Sequence, residues 1–137
     1  MARAKILGAL IGAGLFTAGA QTAARPPRSI FGTYGQSSRG RDSIRVAGKA
    51  GGKISVAIRL YFANGHRCNL SADGDWRDDH VAIVAEGLTP ARPCRLNVFF
   101  DKGRALLKDE GLQCAPVYCG TRGELDNVSL SKSKAGR

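Results

Sequence analysis

Residues 53–73 read KISVAIRLYFANGHRCNLSAD, and their alternation decides the fold. Ile54, Val56, Ile58, Leu60 and Phe62 fall on one face, and Ser55, Ala57, Arg59 and Tyr61 on the other. This is the period of two of a half-buried strand. The pattern breaks at Ala63-Asn64-Gly65 and resumes at Cys68, Leu70 and Ala72, so the chain doubles back as a hairpin. A two-residue Asn64-Gly65 loop would set Tyr61 opposite Cys68 and put the second strand's apolar residues on the polar face. A three-residue loop, Ala63 to Gly65 with Gly65 in the left-handed region, instead pairs Leu60 with Cys68, Ile58 with Leu70 and Val56 with Ala72. One face then stays apolar throughout, and this is the register expected.

Working outward, residues 43–47 place Ile44 and Val46 on one face, and the glycine-rich residues 48–52 join them tightly to the central strand. Residues 29–34, with Ile30, Phe31 and Tyr34, read as a short first strand. Downstream, residues 74–79 (GDWRDD) are too polar for a strand and read as a loop carrying the single tryptophan, Trp76. Residues 80–86 alternate Val81, Ile83 and Ala85 against Ala82 and Val84, a more buried strand that Pro90 and Pro93 interrupt. Residues 95–100 and 104–108 flank Asp101-Lys102-Gly103, a second hairpin. The Leu106-Leu107 doublet makes a two-residue and a three-residue loop comparably good there, so its register stays open. Residues 114–123 read as irregular, Leu125, Val128 and Leu130 suggest a last strand that could close the sheet, and no convincing helix emerges. The pattern predicts an all-β fold: a small antiparallel meander barrel or sandwich of about seven to eight strands, stapled by disulfides.

The amino terminus carries Arg3 and Lys5, the uncharged run from Ile6 to Phe16, and a small-residue Ala18-Gly19-Ala20 site, the three regions of a signal peptide. The run is shorter than the roughly 20 residues a membrane span needs. The expected organisation is a signal peptide over 1–20, a flexible lead-in over 21–29, one β domain over 30–131 and a disordered tail over 132–137. The expected location is periplasmic or secreted, with no transmembrane segment after signal removal. Losing Arg3 and Lys5 from 21 basic residues against 11 acidic ones lowers the formal charge from +10 to +8, still strongly basic. Such a charge bears on partners and solubility, favouring anionic polymers or membrane surfaces, and not on fold. The charge is spread along the chain, and Arg25, Arg28, Arg39 and Arg41 at one end with Lys132, Lys134 and Arg137 at the other also read as solvated tails.

Cys68, Cys94, Cys114 and Cys119 all follow the signal, so disulfides are the default. Of the three possible pairings, Cys114 with Cys119 and Cys68 with Cys94 is favoured, because the first two are close in sequence with Pro116 between them. Zinc is disfavoured: Cys114 and Cys119 have no second pair at knuckle spacing, and neither His66 nor His80 is placed to complete a site. Asp73, Asp75, Asp78 and Asp79 begin like a calcium loop but lack its central glycine and distal glutamate, and read as a polar loop. No cofactor is implied. Without a nucleophile elbow or a zinc-protease helix, the inventory points away from an enzyme. The densest unusual chemistry is residues 114–123, where Pro116, Tyr118, Thr121 and Arg122 would be held between cysteines and glycines. Rigid aromatic and arginine anchors of this kind suit a binding surface. The alternative is a structural corner that lets the last strand dock.

The signal peptide, the meandering strands, the cysteine on the Asn64-Gly65 hairpin and the closing Cys119-Gly120-Thr121-Arg122-Gly123 segment together resemble small exported bacterial proteins that include periplasmic lysozyme inhibitors. The resemblance spans most of residues 30–131 at the level of architecture. It implies a compact antiparallel barrel that blocks a muramidase by inserting a loop into its cleft. One departure is that Ser37-Ser38-Arg39-Gly40 is a poor substitute for the Ser-Gly-x-x-Tyr insertion loop of one inhibitor group. Another is that a basic protein is repelled at long range by basic animal lysozymes. A less basic muramidase, or a rival's effector met by an immunity protein, would suit the charge better. The competing class is a cationic module that holds an anionic envelope polymer. Export disfavours nucleic acid, although charge alone would attract it.

Overall fold

The computed structural model describes residues 24–35, 42–63, 65–120 and 122–134, with Gly14 and Gly19 besides. The expected signal peptide otherwise lies outside the described residues, as do Thr121 and residues 36–41. Eight strands pair in chain order, each antiparallel to the next: β1 (Gly32–Tyr34), β2 (Ser43–Gly48), β3 (Ile54–Tyr61), β4 (Arg67–Arg77), β5 (His80–Thr89), β6 (Arg92–Asp101), β7 (Arg104–Glu110) and β8 (Ser129–Ser131). The first and last strands then meet. Gly35 N–H donates to Ser131 O at 2.8 Å, Ser133 N–H donates to Thr33 O at 2.8 Å, and Tyr34 and Lys132 form a bridge. The result is a nearly closed meander barrel rather than a sandwich, and closure protects the edges that an open sheet would leave unpaired.

Inward positions along the long strands are apolar but for Asp109 at the end of β7. Ile44 and Val46, Ile54 to Leu60 at alternate positions, Leu70, Val81, Ile83, Leu96, Val98, Ala105 and Leu107 are all buried. Eight strands enclose just enough room for such side chains to fill the interior. The outer wall carries Arg45, Arg59, Asn69, Asp73 and Arg95, all exposed, the reverse of a barrel that faces lipid. Among the described residues no helix is long and apolar enough to cross a membrane.

The central hairpin has the expected register, with Leu60 opposite Cys68, Ile58 opposite Leu70 and Val56 opposite Ala72. Phe62 N–H donates to His66 O at 2.9 Å, closing the loop, and Gly65 has φ 77°. The second hairpin takes the two-residue loop: Asp101 pairs with Arg104 across Lys102 and Gly103, at φ 47° and 72°. Leu107 therefore points inward and Leu106 outward.

Four expectations need correction. Residues 74–77 are not loop but the end of β4, pairing with β5 from Gly74 opposite Ile83 to Arg77 opposite His80. Gly74 takes an inward position where an added Cβ would lie 2.6 Å from Val81 Cγ1, so the core-facing residue there has no side chain to betray the alternation. The turn is reduced to Asp78-Asp79. Residues 87–93 do not end the strand pair either. β5 runs on to Thr89 through an irregularity between Ala85 and Thr89, and Pro93 lies within β6. Residues 28–30 form a 3-10 turn with Ile30 buried, so the expected first strand over 29–34 is shortened to Gly32–Tyr34. At the other end, Lys132 and Ser133 do not fray. The bonds that close the barrel hold them, and Lys132 Nζ donates to Ser29 O at 2.5 Å and lies 5.9 Å from the centre of the Tyr34 ring.

Tyr34 anchors this junction, donating its hydroxyl to Ile30 O at 2.7 Å from a position that is 1% exposed. Burial raises its pKa above the ordinary tyrosine value. The folded state thus favours the protonated form, and this contribution is complete below about pH 10 and is lost as pH rises through the raised folded value. Tyr34→Phe is expected to cost about 0.5–1.5 kcal/mol at neutral pH. It should also flatten the loss of stability above about pH 10. Urea unfolding of both proteins across that range checks the pair of effects. Equal alkaline slopes would show that Tyr34 is not the titrating group.

Candidate functional site

The long connection between β7 and β8 closes one end of the barrel, and its geometry starts from a single carboxylate. Asp109 occupies the last inward position of β7 and is 4% exposed. Its side chain accepts Cys114 N–H at 3.0 Å and Ala115 N–H at 3.0 Å. These N–H groups open α1 (Ala115–Tyr118), a single helical turn. A helix start leaves such donors without intrahelical partners, and a buried carboxylate satisfies them. Pro116, which lacks an N–H, is tolerated in this first turn, and Gly120 at φ 68° ends it. Beyond it, Leu125 is fully buried and Asp126 Oδ1 accepts Asp109 N–H at 3.0 Å, so the returning chain packs on the same residue.

The expected disulfide pairing is overturned. Cys68 bonds Cys119 and Cys94 bonds Cys114. Cys68 and Cys94 point into the barrel from β4 and β6, with β5 between those strands. Cys114 and Cys119 stand at either end of the helical turn, and five residues of helix rotate their side chains roughly 140° apart. Each therefore reaches down to a different strand instead of to the other. Two staples through the barrel interior brace the whole segment, and two disulfides fit an oxidising compartment.

Of the four expected binding residues, Pro116 and Arg122 are exposed on this braced end. Tyr118 is half-buried and donates its hydroxyl to Glu86 O at 3.0 Å, which docks α1 against β5. Tyr118 thus serves packing as well as surface, and Thr121 lies outside the described residues. Four further residues were missed. Val84, Leu88, Leu112 and Val117 are the exposed large hydrophobics among the described residues, at 37–63% exposure. All four lie on β5 and on the braced segment that contacts it. Val84 had read as buried because both faces of β5 are apolar, and only the inward phase of Val81 and Ile83 shows which face is covered. Beside α1 runs a groove of about 480 Å³ whose lining includes Leu112, Pro116, Gly123, Glu124 and Asp126. This part of a basic protein is locally acidic.

The opposite end carries a recess of about 450 Å³ lined by Tyr34, Trp76 and Phe100, with Asp78, Lys102 and Lys132 among its polar residues. The ion pairs among the described residues gather toward this end. Lys49 meets Asp73 at 2.6 Å, Lys53 meets Asp75 at 2.7 Å and His80 meets Asp79 at 2.7 Å. The Lys53 hydrogen bond holds the Asp75 carboxyl below its ordinary range. The acidic cluster of the sequence is thus split between strand and turn. Asp73 and Asp75 alternate along β4, each met by a lysine. His80 also stacks on Phe99, ring centres 4.6 Å apart. Among the described residues no three His, Cys, Asp or Glu side chains gather as a metal site.

Comparison with protein-family models, with curated proteins and with solved structures found no match to this chain. Fold and surface define its class: a small all-β barrel, disulfide-braced at one end.

Proposed function

We propose that this chain is an exported, non-enzymatic binding protein that presents its braced end to a protein partner, and that the partner is a muramidase-type enzyme. The observation that carries the binding face is that the exposed large hydrophobics among the described residues, Val84, Leu88, Leu112 and Val117, all fall on β5 and the braced segment. Single exposed apolar residues are ordinary, but their restriction to β5 and the rigid segment that packs on it favours this end as the interface. The staples contribute by lowering the ordering cost of association. Arg122, exposed between Gly120 and Gly123, is the charged anchor, and Glu124 and Asp126 in the groove temper the repulsion that a basic partner would otherwise feel. The choice of muramidase rests on the architectural resemblance and names the first class to test. The reading covers both an inhibitor and an immunity protein.

The test is a titration of oxidised protein beginning at Gln21 against animal, invertebrate and bacterial muramidases, at low and moderate salt. Stoichiometric, saturable inhibition of one class is expected. Folded protein that inhibits none of them contradicts the reading.

A further inference from the structure

A separate feature lies on the outer wall of the barrel, across β2, β3 and β4. Arg45, Arg59 and Arg67 all point outward from β2, β3 and β4 and are exposed. The register makes them a diagonal row. Arg45 is opposite Ala57, two residues before Arg59, and Arg59 is opposite Asn69, two residues after Arg67. Diagonal neighbours on one face are about 7–8 Å apart between backbones, within reach of side chains as long as arginine. Ser43 and Asn69 flank Arg59, and Tyr61 is opposite Arg67. A shallow groove of about 400 Å³ lies at the β3 and β4 part of the row, lined by Arg59, Tyr61, Arg67, Asn69 and Ser71, with Arg45 outside it.

The row stands out by its placement: no arginine among the described residues has an ion-pair partner, but these three are diagonal neighbours on one face. Lower on the same strands, Asp73 and Asp75 are each paired with a lysine. Among the described residues none of the three arginines has an ion-pair partner. No acid elsewhere could supply one, since the 11 acidic residues of the chain all fall within the described residues. Asp42, near Tyr61, accepts the Tyr61 N–H at 2.8 Å and makes no ion pair with the row. Three uncompensated guanidiniums repel one another in the folded protein, and an anionic ligand removes that repulsion.

We infer that the Arg45–Arg59–Arg67 row is a binding site for an acidic polysaccharide laid across β2, β3 and β4. Guanidinium forks match carboxylate and sulfate oxygens. The interleaved Ser43, Asn69 and Ser71 suit the hydroxyl groups of a sugar chain. A single-stranded nucleic acid would call for successive aromatic platforms. Here the described groove offers one ring, Tyr61. The two disulfides fit an oxidising compartment.

The test uses oxidised protein beginning at Gln21, with labelled polygalacturonate and labelled heparin as carboxylate and sulfate probes, at about 50 and about 200 mM salt. R45A/R59A/R67A is compared with R77A/R92A/R95A, which removes the same charge from exposed positions elsewhere. The row variant is expected to keep its thermal midpoint, to bind at least one probe roughly 30-fold more weakly and to show a flatter salt dependence. The control variant is expected to change by less than about threefold. Equal losses in the two variants would reduce the effect to net charge and overturn the site. So would the absence of wild-type binding to both probes at the lower salt. An oligothymidine that binds more tightly than either probe, with the same dependence on the row, would overturn the choice of ligand.

Discussion

Oxidised protein carrying C68A/C119A is expected to melt about 15–25 °C below the parent. The bridge closes a sequence separation of 51 residues, from the central hairpin to the far side of α1. On loop-closure entropy alone, a cross-link of that span contributes about 4 kcal/mol. The same change in a domain of this size corresponds to a large shift in midpoint. C94A/C114A, with a separation of 20 residues, should lose less, about 3 kcal/mol. Both cysteines of each pair are buried, so alanine leaves only a small void and the comparison isolates the cross-link. Differential scanning calorimetry of the two variants gives the order directly. If C94A/C114A were the more damaging, the long staple would not be the principal brace of this end.

Asp109→Ala is the second large effect, with an expected loss of about 2–4 kcal/mol in urea unfolding. The substitution removes the acceptor of the buried Cys114 N–H and of the partly buried Ala115 N–H, at a carboxylate that is itself 4% exposed. Leaving a buried donor unpaired costs more than a typical hydrogen bond contributes, because the donor has lost its own solvation. Asp109→Asn keeps one acceptor oxygen but turns an amide donor toward the remaining N–H, so an intermediate loss is expected. Amide exchange should accelerate at Cys114 and Ala115 in both. A loss below about 0.5 kcal/mol for Asp109→Ala, within the range of neutral surface changes, would show that α1 does not depend on this carboxylate.

How far the molecule could be read from its residues differs from place to place, for physical reasons. The central hairpin was legible to the residue because Gly65 and strict alternation admit one register with an unbroken apolar face. The second hairpin was not, since Leu106 and Leu107 satisfy either register by hydrophobicity. The structure settles it by burying Leu107. β4 reads as strand only to Asp73 because Gly74, pressed between β3 and β5, has no side chain to mark the inward face. The disulfides misled for a related reason. Pro116 suggested a tight loop joining Cys114 to Cys119, whereas proline in the first turn of a helix holds them apart. Pro116 and Arg122 lie exposed on the braced end. The exposed apolar residues were hidden, because Val84 sits in the run Val81 to Ala85 where every position looks fit for burial, and Leu88 lies in the stretch that Pro90 and Pro93 made read as a break.

The central claim is that a protein partner docks on the braced end, and the most direct measurement is a side-by-side titration of one muramidase with the parent protein and with Arg122→Glu. Arg122 makes none of the hydrogen bonds that brace this end, and it is exposed, so the two proteins should melt together. Reversing the charge of an anchor residue should weaken inhibition by about tenfold or more, the equivalent of about 1.4 kcal/mol. The parent should reach its end point at one equivalent. Superimposable inhibition curves from two equally stable proteins would contradict the assignment of this end as the contact surface.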